Sequence, residues 1–383
     1  MIEPTRHAVA ADTIFDGTEL HRGMAVAIDG ADILGIVPRR ELPAALPVCD
    51  LPAGQWLAPG FIDVQVNGGG DVLFNDSPSV EGIAAIVRAH RRFGTTALLP
   101  TLISDTPAKM RAALAAVRRA MAVEPGVIGI HFEGPFLSPA RAGVHDPAML
   151  RVPGPEDFTI LTGLGGSGAT VVTLAPEEVP AGFVARLAAA GVRVALGHSD
   201  ASYAETCAAL DQGLTGFTHL FNAMPPLVSR EPGPIAAALD DPRAYYGLIA
   251  DGVHVAPVML RLALRGRGQP LLVTDAMPPV GGSGRNFNLY RRPIEVRDGH
   301  CETAEGRLAG SMLDMASAVR NCVRLLGLSL PAALRLAGAV PAGFLGMSDR
   351  LGHLMPGCRA DMVALDPEAI EVVATWVAGR PDQ

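Results

Sequence analysis

Lysine is all but missing from this chain of 383 residues: Lys109 is the only one, and arginine carries the rest of the basic charge, as a GC-rich genome favours. There is no block of like charge and no basic stripe, and the net charge is −8, which argues against nucleic acid as the main partner. A small anionic substrate held by a local arginine stays open. No apolar stretch approaches the ~20 uninterrupted residues of a membrane helix, so no membrane partner is expected. The start, MIEPTRHAVAADTIF, lacks a basic segment followed by an apolar core, so no signal peptide is expected either. Cys49, Cys207, Cys301, Cys322 and Cys358 are odd in number, scattered and free of any CxxC, which fits reduced thiols in a cytoplasm better than a disulfide framework. No GxGxxG follows the first strand-like run, so nothing speaks for dinucleotide binding. What remains is a composition 49% apolar and 18% charged, that of a globular chain with a sizeable core.

The middle of the chain alternates in the βα manner. FIDVQV, TALLPT, VIGIHF, VVTLAP, VRVALG, GFTHLF, YYGLIA and LLVTDA are near-continuous apolar runs, as strands of a parallel sheet require. Ala-rich helical stretches such as PAKMRAALAAVRRAMAV and SYAETCAALDQG lie between them. Eight such runs predict an α/β fold with a closed (β/α)8 TIM barrel, a doubly wound open sheet being the alternative. Residues 1–57 and 350–383 read instead as short alternating strands punctuated by turns, and predict a small β-sandwich domain around a barrel spanning 58–349. PPVGGSGRNFNLYRRPIEVRDGHCETAEGRLAGS, after the eighth run, has the length and glycine content of a hairpin-bearing cover for an active site.

Polar residues stand where four of these runs stop: Glu133, His198, His219 and Asp275. A (β/α)8 barrel builds its active site from single residues at the ends of successive strands. One carboxylate and two imidazoles make a zinc-competent set once brought to about 2 Å of a common point. A further buried carboxylate, Asp275, suits proton abstraction from an activated water, or else the orientation of a ligand histidine. His131 lies two residues before Glu133 and so faces the same side of a regular strand, as a support rather than a ligand.

The motifs PGFIDVQVNG, HFEGPFLSP with GVHDP, GHSDA, THLFNAMPP, ADGVHV, VTDA and LAGS resemble those of the N-acetylglucosamine-6-phosphate deacetylases of the amidohydrolase superfamily, in order and spacing, from about residue 57 to the C-terminus. The resemblance implies hydrolysis of N-acetyl-D-glucosamine 6-phosphate to D-glucosamine 6-phosphate and acetate, a step of amino-sugar catabolism and recycling. It implies metal ligation by Glu133, His198 and His219, with Asp275 as general base and then acid. His145 then faces the acetamide carbonyl, His254 contacts the sugar, and Asn222, Ala223 and Arg230 bind the phosphate. N-acetylgalactosamine 6-phosphate or another N-acyl amino sugar is the alternative substrate. The family's members are commonly homodimers, in which Arg230 could act across the interface.

One departure bears on the metal. Many superfamily members carry HxH at the end of the first strand and bind two metals, whereas this chain has Gln65 and Asn67. Amides are weak ligands beside imidazole, so one divalent ion per subunit is expected, and Gln65 and Asn67 are assigned to hydrogen bonds with the water or sugar. Zinc is the first choice, with iron(II), manganese or cobalt also compatible with a His2Glu set. With Lys109 outside the fourth strand end, a carboxylated-lysine bridge between two metals is excluded.

Overall fold

Eight parallel-type strands follow one another round a single sheet in chain order: β1 (Phe61–Val66), β2 (Thr95–Ile103), β3 (Gly129–Glu133), β4 (Ala169–Leu174), β5 (Arg193–Leu196), β6 (Leu214–Phe217), β7 (Tyr245–Leu248) and β8 (Gln269–Leu272). They belong to a computed structural model that describes residues 6–382. Each of the pairs from β2 to β8 is parallel. The sheet closes where β1 meets the end of β8: Val66 bridges Ala276, and the Asp275 N–H donates to Gln65 O at 3.0 Å. This is the (β/α)8 barrel that the apolar runs predict. Every residue of β1, β2, β3 and β4 is buried, which is why these strands read as unbroken apolar runs rather than alternating ones.

The connecting helices show the opposite pattern, one apolar face each. In the helix Pro107–Ala120 the buried residues are Met110, Ala113, Ala116, Val117 and Ala120, spaced three and four apart. Its start is written in the sequence: Thr106 accepts from the Lys109 N–H, and Pro107 occupies the first turn, where no donor is needed.

The chain divides into two compact units, Val64–Ala89 with Leu98–Asp314, and Met1–Asp63 with His90–Ala97 and Met315–Gln383. Packing thus groups the last three helices, Met315–Arg324, Leu330–Ala337 and Ala339–Leu345, which fall inside the span 58–349 expected for the barrel, with the terminal strands instead. Both chain ends build one eight-stranded sheet, in which Met362–Asp366 pairs antiparallel with Trp56–Pro59. The expected sandwich takes the form of a branched sheet. Strand Arg6–Phe15 has Leu20–Asp29 on one edge, and on the other Val48–Asp50 beside Ala8–Ala10 and Trp56–Pro59 beside Thr13–Ile14. Val9 and Ala11 join one apolar cluster while Ala8 and Ala10 join another with Ala25, so both faces are covered.

After β8 the insertion forms a three-stranded antiparallel sheet, Asn286–Leu289, Arg292–Arg297 and His300–Thr303. No helix among the described residues is long and apolar enough to cross a membrane. All five cysteines are free.

Gly94, in the turn before β2, has φ +83°, and a Cβ there would come 2.8 Å from the Phe61 ring and 3.0 Å from a Val363 methyl. Both the backbone and the space therefore require glycine. Gly94→Ala should destabilise the fold by about 2 kcal/mol, seen as a lower urea midpoint with unchanged slope; an unchanged midpoint would show that the turn relaxes freely.

Candidate active site

The strands deliver their terminal polar residues to one point. Glu133 is the last residue of β3, His198 and His219 stand two residues beyond β5 and β6, and Asp275 stands three beyond β8. His198, His219 and Asp275 all adopt left-handed backbone, with φ of 50°, 31° and 52°. Non-glycine residues held there cost about 1–3 kcal/mol each and concentrate at functional sites. All four residues are buried, and all four lie within the unit that holds the barrel ends.

Glu133 Oε1 lies 3.1 Å from His198 Nε2 and 3.0 Å from His219 Nε2, and the two Nε2 atoms are 3.1 Å apart. His198 Nδ1 faces the Arg141 carbonyl at 2.9 Å. That carbonyl can only accept, so Nδ1 carries the proton and Nε2 presents a lone pair to the carboxylate. Two acceptors facing each other at this distance in a buried place need a cation between them. A four-coordinate zinc with bonds of about 2.0–2.1 Å holds its donors roughly 3.3 Å apart, close to this triangle. The residues fit a divalent metal. Burial opposes ionisation of Glu133, and hydrogen bonding and charge from His198 and His219, when these are protonated, outweigh it and hold the carboxyl well below its usual range; a divalent cation between neutral imidazoles would act in the same direction.

Gln65 and Asn67 sit beside this triangle, and their hydrogen bonds go to carboxylates. Gln65 Nε2 donates to Glu133 Oε2 at 3.2 Å and to Asp275 Oδ1 at 3.1 Å, while Asn67 Nδ2 donates to Asp275 Oδ1 at 2.6 Å. Both amides thus turn N–H groups, not lone pairs, toward the carboxylates. Asp275 has one oxygen held by two donors, and its Oδ2 makes no hydrogen bond among the described residues. Burial, and then the Glu133 carboxylate, push the Asp275 carboxyl up to about 6. A divalent cation in the triangle acts in the opposite direction.

His131 is a strut. Its Nδ1 donates to Val64 O at 2.9 Å, and its Nε2 accepts from Thr173 Oγ1 at 2.7 Å, which in turn meets Thr218 Oγ1 at 2.6 Å. Burial above all pulls this imidazole down to about 4. It ties β1, β3, β4 and the end of β6 together beneath the triangle. At the end of β4, Glu177 accepts from Ser199 Oγ and from the Asp200 N–H, which pins the loop that carries His198.

A cavity of about 430 Å³ opens over the triangle, and His145, His254, Asn222 and Ala223 line it together with Asn67 and Asp275. The Ser104 N–H and Oγ lie 3.4 and 2.7 Å from His145 Nδ1. A backbone amide only donates, so Nδ1 is the acceptor and the imidazole proton sits on Nε2. His254 Nδ1 is held 2.6 Å from Asp251 Oδ2. Asn67 Oδ1 is buried without a hydrogen-bond partner among the described residues. Arg230 is not brought to this cavity; it is exposed on the loop after Asn222 and Ala223. The insertion does reach it, with Leu289, Arg307, Leu308 and Gly310 in the wall.

Several contributors were not singled out from the sequence: Ser104, Arg141, Glu177, Asp251 and Arg307. Only Asp251 left a local trace, the Asp-x-x-His spacing in ADGVH.

The sequence matches the amidohydrolase family over residues 56–382. It is 44% identical to an N-acetylgalactosamine-6-phosphate deacetylase of Shewanella sp. (strain ANA-3), across 89% of this chain and 86% of that one. It is 33% identical to an N-acetylglucosamine-6-phosphate deacetylase of Haemophilus influenzae, across 98% and 99%. The crystal structure of N-acetylglucosamine-6-phosphate deacetylase from Pasteurella multocida superposes with a TM-score of 0.93 at 33% identity, across 98% of this chain and 99% of that one.

Elemental analysis of the purified protein should find one divalent metal per chain. His219→Ala should lower that occupancy at least tenfold and lower the melting temperature, since the buried carboxylate then loses its counter-charge; full occupancy in this variant would disprove the ligand triangle.

Proposed function

We infer the reaction from the premise that the chain belongs to the amidohydrolase family, among its amino-sugar 6-phosphate deacetylases: it hydrolyses the acetamide of N-acetyl-D-glucosamine 6-phosphate to D-glucosamine 6-phosphate and acetate. The observation that carries this reading is Asp275, anchored through Oδ1 by two amides, beside a His2Glu triangle at the floor of a sugar-sized cavity.

Glu133, His198 and His219 hold a single metal, zinc in the first instance. When bound, it supplies Lewis acidity to the acetamide carbonyl and makes water a stronger acid. Asp275 Oδ2 takes the proton of the attacking water and later delivers it to the sugar nitrogen, which cannot leave as an amide anion. His145, with its proton on Nε2, donates to the carbonyl oxygen as negative charge develops there. His254, oriented by Asp251, contacts the sugar, and Asn67 Oδ1 is an acceptor for a substrate N–H or O–H. Gln65 sets the two carboxylates rather than touching the sugar.

At the other end, the turn through Phe221 and Ala223, with φ of 82° and 51°, offers backbone amides to the phosphate, and Asn222 adds its side chain. The phosphate supplies positioning energy far from the reacting atoms. Arg230 lies outside its own cavity, so in a homodimer it is the residue to bind phosphate held by a second copy. Five free thiols suit a cytoplasmic setting.

A second substrate has support of its own: the 44% identical relative from Shewanella is an N-acetylgalactosamine-6-phosphate deacetylase. The two sugars differ only in the direction of one hydroxyl. Turnover of both by the metal-loaded enzyme separates them, and a kcat/KM ratio above about ten would name the substrate. For the base, Asp275→Asn should keep its metal while kcat falls roughly 10³-fold; retained metal with near-wild-type turnover would sink the assignment.

A further inference from the structure

The insertion turns back on itself at Tyr290 and Arg291. Leu289 pairs with Arg292, which leaves a two-residue hairpin loop, and both loop residues have positive φ, 50° and 65°. Such a turn favours Asn-Gly, because side chains resist left-handed backbone. A tyrosine and an arginine held there point to a contact that compensates the strain, and from such an outlier a functional reading can start.

That contact is the Tyr290 hydroxyl. It donates to Ser104 O at 2.6 Å, and the Asp146 backbone amide faces the phenol oxygen itself. Ser104 is the residue whose N–H and Oγ fix His145 Nδ1, and Asp146 directly follows His145. Ser104 and His145 are 1% and 3% exposed, and Tyr290 and Val144 both pack against the apolar cluster that includes Ile103 and Leu289, so the phenol meets both Ser104 and the residue after His145.

We propose that Tyr290 is a positioning residue for His145, through which the tip of the insertion fixes the imidazole that donates to the acetamide carbonyl. This rests on the reading of His145 given above. Tyr290 does not meet the substrate; it holds Ser104 and the 145–146 backbone so that the Nε2–H keeps its direction. The carbonyl oxygen gathers charge only as the reaction proceeds, so a looser His145 lowers kcat more than it raises KM.

Tyr290→Phe keeps the ring and its packing and removes only the hydroxyl. In the metal-loaded enzyme it should lower kcat about tenfold with KM within twofold, and with metal content and melting temperature unchanged. The same change in a His145→Gln background should have no further effect, because the residue it acts through is gone. Ser104→Ala, an independent lesion in the same link, should behave alike. If His145→Gln collapses kcat while Tyr290→Phe leaves it intact, or lowers it equally in both backgrounds, the positioning role is overturned and the His145 reading stands. If His145→Gln itself turns over normally, the His145 reading fails, and this inference with it.

Discussion

Two buried carboxylates share one amide, and the rest of the site is arranged around that fact. Glu133 and Asp275 both face Gln65 Nε2, which donates to each. Two like charges in a water-poor place raise each other's pKa and repel, so they need donors and a cation near at hand. Gln65 supplies the donors from its side chain, and its backbone carbonyl accepts the Asp275 N–H at the seam that closes the barrel. Closing the barrel and setting the carboxylates are therefore one structural event. A slip of one residue at this seam would turn Gln65 to the other face of β1 and leave both carboxylates without their donor.

The same economy appears in how the imidazoles are aimed. Left-handed backbone at His198 and His219 turns each side chain back over the barrel mouth, and long-range contacts hold the turn: the Arg141 carbonyl on His198, and Glu177 on the following Ser199 and Asp200. Below, the His131, Thr173 and Thr218 chain spans the strands that carry Glu133 and His219. His131 and His198 are thus each held by groups from distant parts of the chain, while His254 is held by Asp251 within its own loop.

This explains what the sequence made legible. The barrel strands were readable because burial on both faces leaves unbroken apolar runs. The four strand-end residues stood out together: a single polar group closing such a run is usually structural, but four at the ends of barrel strands suit one site. The supports were not. Ser104 is 41 residues from His145, and Tyr290 is 186 residues from Ser104, so nothing local marks either. Gln65 and Asn67 were noticed for what they are not, imidazole ligands, and their amide donors became apparent only beside the carboxylates they serve. The terminal strands were recognised as β structure, but a branch at one strand is a matter of which edges pair, and alternation along a strand does not record it. Arg230 was reached through the motif alone, and its exposure beyond the cavity is a property of the loop rather than of the residue.

On the proposed reading, charge sets the direction in which the substrate lies. A divalent cation held by the triangle would offset Glu133 and Asp275 together and leave the reacting end of the cavity close to neutral, with no general pull on an anion. The pull has to come from elsewhere in an acidic protein. Arg141 in the wall is already paired with Asp200, while Arg307 donates to Gly143 O and makes no ion pair among the described residues. On the proposed reading, the backbone amides at Phe221 to Ala223 and the Arg307 guanidinium in the cavity wall would hold the positive end. A sugar with phosphate at one end and an acetamide at the other fits that polarity in a single orientation, the one that presents the acetamide to Asp275 and His145.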